Sequence, residues 1–155
     1  MRFCILALIL SGICLAAGSE ENKFSYGSIV LTNQFGESTA VYSRQVLVYA
    51  ADRTGGDNLH SFLKEQRGTY LSEKKALYIM DRSMIPSLIF NYLILPVLKN
   101  YNYPVYIVNS KKQVELFPVK KEKVSFIFLQ HGRVDRVVYI ASVNKKELHV
   151  MLSGL

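Results

Sequence analysis

The sequence predicts an α/β fold: a three-layer sandwich with a central mixed β-sheet, flanking helices and an N-terminal β-hairpin. Three observations predict it. Two apolar β-branched runs, Gln45–Ala51 and Ala76–Met80, are each followed by a segment with helical apolar spacing, the mark of parallel strands joined by crossover helices. Two further strong strand runs, Val124–Leu129 and Val134–Ala141, flank Gln130-His131-Gly132-Arg133, a tight hairpin in which Gly132 supplies a positive φ. A final apolar-periodic stretch after Asn144 reads as a capped C-terminal helix with Gly154 near its end.

The chain starts with one cation at Arg2, an apolar run from Phe3 to Leu10, and small residues at Ala16, Ala17 and Gly18. This is the layout of a secretory signal peptide, with cleavage expected after Gly18. An uncleaved anchor is the alternative, but about fifteen apolar residues fall short of the roughly twenty needed to span a bilayer. Lipid attachment at Cys14 is a further alternative, disfavoured by Ile13 before it. Cleavage predicts an exported, periplasmic protein whose residues 19–155 form one domain. Cys4 and Cys14 are the only cysteines in the chain, so they leave with the leader and no disulfide or thiol chemistry remains.

In order along the chain, Ser28–Thr32 and Ala40–Tyr42 read as a hairpin around the turn Asn33–Glu37. Gln45–Ala51 is nearly continuous in apolar character, as a strand buried on both faces requires. Asp52–Asn58, with Gly55 and Gly56, reads as a loop, and Leu59, Phe62 and Leu63 place a helix as far as about Gln66. After the second strand, Met84–Leu98 is apolar but contains Pro86, Asn91 and Pro96. It is too short and too broken to span a membrane, and Pro96 is expected to kink or end the helix near Leu95. Ile85, Leu88, Ile89, Tyr92 and Leu93 are expected to pack on the sheet. Val105–Asn109 reads as a third strand, and Val114–Phe117 as a fourth after the turn Ser110–Gln113.

The formal charge is +7, with lysines at 74–75, 111–112, 120–121, 123 and 145–146. Most such residues are solvated surface; their functional reading is attraction to an anionic membrane surface or an acidic partner. Export and dispersed charge argue against nucleic acid.

This order of elements resembles thioredoxin-like proteins of the peroxiredoxin branch. The segments NQFGES, LVYAADRTGG, ALYIMDRSMIPSLI, LPVLKNYNYPVYIVN and HGRVDRVVYIA resemble, in that order, an uncharacterised exported bacterial family lacking the redox cysteines. Redox members of the superfamily keep a nucleophilic cysteine where the first central strand meets its helix. Here Thr54-Gly55-Gly56-Asp57 stands in that place, and the resemblance puts Asp57 on the cysteine position. It therefore implies no thiol chemistry. It also raises a cis proline before a strand, at Pro104 or Pro118.

Both central strands end in Asp-Arg, at Asp52-Arg53 and Asp81-Arg82. On one edge of an open sheet these, with Thr54, Gly55, Gly56, Asp57 and Ser83, form a candidate binding site for a small anion, a peptide or a protein. The bland alternative makes Asp57 or Asn58 and Ser83 helix caps within an internal ion network. An acid and base pair of Asp52 and Asp81 would make the protein a thiol-independent enzyme, on weak evidence. His60, His131 and His149 have no metal-ligand spacing, and no cofactor fingerprint follows any strand. The reading is a thiol-free binding module, not a redox enzyme, with no cofactor, no metal and no catalytic residue assigned; association with a membrane face is the further alternative.

Overall fold

A computed structural model describes residues 26–155, so the predicted signal peptide lies outside the described residues. Seven strands form one mixed sheet in the order β2-β1-β5-β4-β3-β6-β7. The centre is parallel: β3 (Val46–Ala50) pairs with β4 (Ala76–Asp81), and β4 with β5 (Tyr106–Val108). β6 (Lys123–Gln130) runs antiparallel to β3 and turns into β7 (Arg133–Ala141). At the other edge the hairpin of β1 (Val30–Asn33) and β2 (Ser38–Ala40) joins β5 antiparallel through β1. In the β6–β7 turn Gly132 has φ 75° and His131 φ 52°, the paired left-handed geometry of a two-residue hairpin.

The two faces of the sheet are covered unevenly. On one, Val48, Ala50, Tyr78, Ile107 and Phe126 pack under three helical segments: α1 (Arg53–Leu63), the helix spanning 87–98, and α6 (Lys145–Ser153). On the other, Leu47, Tyr49, Leu77, Ile79 and Ile127 meet Tyr26, Val41 and Phe117, with Val114 of the single turn α5 (Lys111–Val114) packed against them. A second short turn, α2 (Tyr70–Glu73), precedes β4.

Three expectations are corrected. Val114–Phe117 is not a strand: the Ser110 side chain accepts the Gln113 N–H and starts a helical turn, so Val114, Leu116 and Phe117 reach the second core cluster without pairing. Pro96 does not end its helix. α3 (Ser87–Ile89) widens into a π-helical segment, Phe90–Ile94, whose ladder closes with Leu95 N–H on the Phe90 carbonyl, and α4 continues from Leu95 to Leu98. A wider turn accommodates a proline that has no N–H to donate.

Thirdly, neither Pro104 nor Pro118 follows a cis bond; there is none among the described residues. Around Pro104 the reason is visible. The buried Gln34 amide donates to Tyr103 O (2.8 Å) and accepts the Val105 N–H (2.7 Å), clamping the chain on both sides of the proline in extended form. Around Pro118, Val119 N–H closes a tight turn on Phe117 O at 2.9 Å.

Candidate functional site

The segment Thr54-Gly55-Gly56-Asp57 belongs to the first turns of α1 and is not a loop. Asp52, in extended conformation, is the N-cap: its Oδ1 accepts the Gly55 N–H at 2.7 Å. Its Oδ2 accepts the hydroxyl of the buried Ser142 at 2.6 Å. Asn58 Nδ2 donates to Ser142 O at 2.8 Å, so the β7–α6 junction is tied to α1 at two levels. Leu59, where apolar spacing begins, is thus six residues past the first helical residue, and the cap is Asp52, not Asp57 or Asn58. A side-chain cap and a close helix seat outweigh the helix-weakening effect of two glycines. A Cβ on Gly55 would lie 2.8 Å from Val124 Cγ2 and 3.1 Å from Ser142 Oγ; glycine is what lets α1 approach β6 this closely.

β3 and β4 are parallel neighbours with Ala50 opposite Met80, so the two Asp-Arg pairs do share one sheet edge. Their side chains part company. Strand alternation puts Asp81 on the face of Tyr49 and Ile79, opposite to α1. There burial first, then the nearby Asp81 carboxylate, pushes the Tyr49 phenol above its ordinary range. Asp81 Oδ1 accepts the Ser83 N–H at 2.8 Å, making Ser83 part of a tight turn and not a helix cap. The Arg82 guanidinium lies 4.3 Å from the Phe90 ring centroid. Arg53, 94% exposed, faces Asp57 at 3.5 Å, the one ion pair among the described residues. Asp52 through Asp57 lie together at the start of α1, Asp81 turns to the other face, and among the described residues no ion pair or hydrogen bond joins the two Asp-Arg pairs.

Beside α1 lies an aromatic cluster that sequence spacing does not assemble. Tyr103 Oη and His60 Nδ1 are 2.7 Å apart, and the His60 ring stacks on Tyr101 at 4.0 Å between centroids. Tyr78 approaches Tyr103, and its hydroxyl sits 3.4 Å from where a Gly56 Cβ would be. Burial lowers the His60 pKa, as does Lys64, partly offset by Asp57, and burial raises Tyr103. Both shifts favour the neutral forms, a phenol paired with an uncharged imidazole. No local motif joins His60 to Tyr103, 43 residues apart; the run Tyr101-Asn102-Tyr103 was the only available signal.

Ser61 Oγ and His149 Nε2 are also close, at 3.0 Å. The Asn58 carbonyl lies within reach of both, 2.8 Å from the serine hydroxyl and 3.2 Å from His149 Nε2, so the pair is part of the tie between α1 and α6. Among the described residues no group of three or more His, Cys, Asp or Glu is placed to hold a metal ion.

The 87–98 helix departs most from expectation. Phe90 and Leu98 are buried, with Ile94 and Leu95 partly so, whereas Leu88, Ile89, Tyr92 and Leu93 are exposed instead of packing on the sheet. Of the five residues expected to pack there, Ile85 alone contributes to the core. No helix among the described residues is long and apolar enough to cross a membrane.

No known family model and no curated protein sequence matches the chain. Solved structures do match. A cysteine-to-serine mutant of peroxiredoxin Q from Xanthomonas campestris aligns with a TM-score of 0.53 at 12% identity, over 83% of this chain and 90% of that one. A SCO1/SenC family lipoprotein from Bacillus anthracis aligns with a TM-score of 0.52 at 10% identity, over 88% and 98%. The exposed lipoprotein thioredoxin of Streptococcus pneumoniae aligns at 0.51 and 16%, over 82% and 98%. The fold is thioredoxin-like.

Proposed function

We propose that this chain is a thiol-free binding module on a thioredoxin-like scaffold, exported after removal of residues 1–18 and working in the periplasm as the single domain 19–155. The observation that carries the reading is the seat of α1. Where thiol proteins of this fold leave helix N-terminal amides to stabilise a thiolate, Asp52 already holds the Gly55 N–H and the Ser142 hydroxyl. A resident carboxylate at that position can neither exchange disulfides nor reduce a peroxide, and it competes with an anionic ligand for the same donors. Binding is then the business of the exposed surface, with a protein, a peptide or a small anion as the ligand classes the sequence suggests.

The test uses protein recovered from an exporting bacterial host, its first residue read by intact mass. We expect a start at Ser19 and no disulfide-reductase or hydroperoxide turnover above buffer. Turnover at the level of a thiol enzyme in this processed form would overturn the reading.

A further inference from the structure

From Ser83 to Leu98 the chain has no charged residue, and from Arg82 to Val114 it has no Asp or Glu. Within this stretch Met84 (75%), Leu88 (72%), Ile89 (46%), Tyr92 (75%), Leu93 (66%) and Val97 (53%) face solvent. Leu88, Ile89, Tyr92, Leu93 and Val97 lie on the 87–98 helix, and Met84 lies in the turn that leads into it. Together they expose on the order of 700 Å² of mostly apolar surface, above the few hundred Å² usual for the largest patch of a monomer. The π-helical segment and Phe90 fix this orientation from below.

The rim decides what covers the patch. Arg82 precedes it and Lys99 follows it. Arg82 N–H donates to Val108 O at 3.0 Å, which fixes the cationic end of the segment to the sheet. The first acid beyond Asp81 is Glu115. A second copy laid antiparallel across the patch would set Arg82 of one chain against Lys99 of the other, with no acidic residue in the segment to offset them.

We infer that this face docks on an anionic lipid surface. The 87–98 helix lies in the plane of the interface, its exposed apolar side chains at the boundary between headgroups and acyl chains. Lys99 and Arg82, at the two ends of the segment, meet the headgroup phosphates. A helix with an apolar face and a cationic border binds in this way by area and charge together. The inference rests on the binding-module reading and names its partner.

The chain has no tryptophan, so Tyr92→Trp creates a sole reporter on the patch, and Val150→Trp creates one at an exposed position of α6. In the full chain, such a reporter reads the patch even if the N-terminal apolar segment also holds the vesicle. With vesicles of phosphatidylcholine and phosphatidylglycerol, the Tyr92→Trp emission is expected to shift to the blue and to be quenched by brominated acyl chains. Val150→Trp should not respond. Adding Lys99→Gln should weaken partitioning about fivefold. Adding Leu88→Gln and Leu93→Gln, which are exposed and should leave the melting curve unmoved, should weaken it tenfold or more.

The inference is overturned by no shift on anionic vesicles, by an equal response on phosphatidylcholine alone, or by equal responses at both reporters. A shift that follows protein concentration without lipid would assign the face to a second copy instead. None of these results touches the binding-module reading, which stands or falls by the redox assays.

Discussion

Replacing Gly55 and Gly56 by alanine, one at a time, is expected to move stability in opposite directions. Both lie in α1 and neither has a positive φ, so alanine suits the backbone at each. Relief of the glycine entropy cost favours the variant by about 0.5–1 kcal/mol at either site. At Gly56 the new methyl meets only the Tyr78 hydroxyl at 3.4 Å, an ordinary contact, and the gain survives. At Gly55 it would stand 2.8 Å from Val124 Cγ2 and 3.1 Å from Ser142 Oγ. Val124 is fully buried on a strand paired on both sides, and Ser142 is held by Asp52. Neither can retreat cheaply. Overpacking of this kind costs about 1–3 kcal/mol, leaving Gly55→Ala about 0–2.5 kcal/mol less stable than the parent once the entropy gain is subtracted. Urea denaturation followed by far-ultraviolet circular dichroism at constant m-value reads both. If the two variants shift the midpoint in the same direction and by similar amounts, the seating of α1 on β6 is wrong. If both destabilise, the pair belongs to a loop whose backbone needs glycine, and an anion cradle returns to consideration.

Asp52→Ala should cost about 2–3 kcal/mol, combining a lost N-cap with a stranded buried hydroxyl at Ser142, whereas Asp52→Asn, an equally good cap, should cost about 1 kcal/mol or less; equal midpoints for the two in the same urea titration would refute the capping role. Because the folded pKa of His60 is lowered from 6.5, the unfolded chain takes up the proton first on acidification. His60 stabilisation is therefore complete above about pH 6.5 and declines as the pH falls from there towards the folded value. His60→Gln, whose amide can still pair with the Tyr103 hydroxyl, should lose less stability than the parent between about pH 7.5 and 5.5 by the same measurement; an unchanged slope would show that the imidazole is not desolvated.

The parts legible in the sequence were those in which one residue type serves one role. β3 and β4 are buried on both faces, so their apolar runs are unbroken, and the β6–β7 turn needs a left-handed residue and has Gly132. The errors have a different origin. The start of α1 depends on Ser142, 90 residues from Asp52 in sequence, and no window around Gly55 contains it. Val114, Leu116 and Phe117 satisfy a core from a helical turn as well as a strand would, because they need only one face. The candidate site was half legible: neighbouring strand ends do bring Asp52 and Asp81 to one edge, but the parity of a single residue sends the second carboxylate to the far face. For the 87–98 segment, composition made every apolar position a candidate for the core. The π-helical segment sets the phase, and it buries Phe90 and Leu98 while leaving the neighbours of Phe90 outside.

That phase has a consequence for how the scaffold divides its labour. A thiol protein of this fold keeps its α1 N-terminus underused in the resting state, because the amides must wait for a developing thiolate. Here Asp52 already holds one of those donors, the Gly55 N–H, together with the Ser142 hydroxyl. The surface with interaction energy still to be gained is instead the apolar face of the 87–98 helix, since area left in water gains only when something covers it. Function on this scaffold should therefore respond to substitutions at Leu88, Tyr92 and Leu93 with the fold intact. Substitutions at Asp52 or Gly55 should act through stability alone.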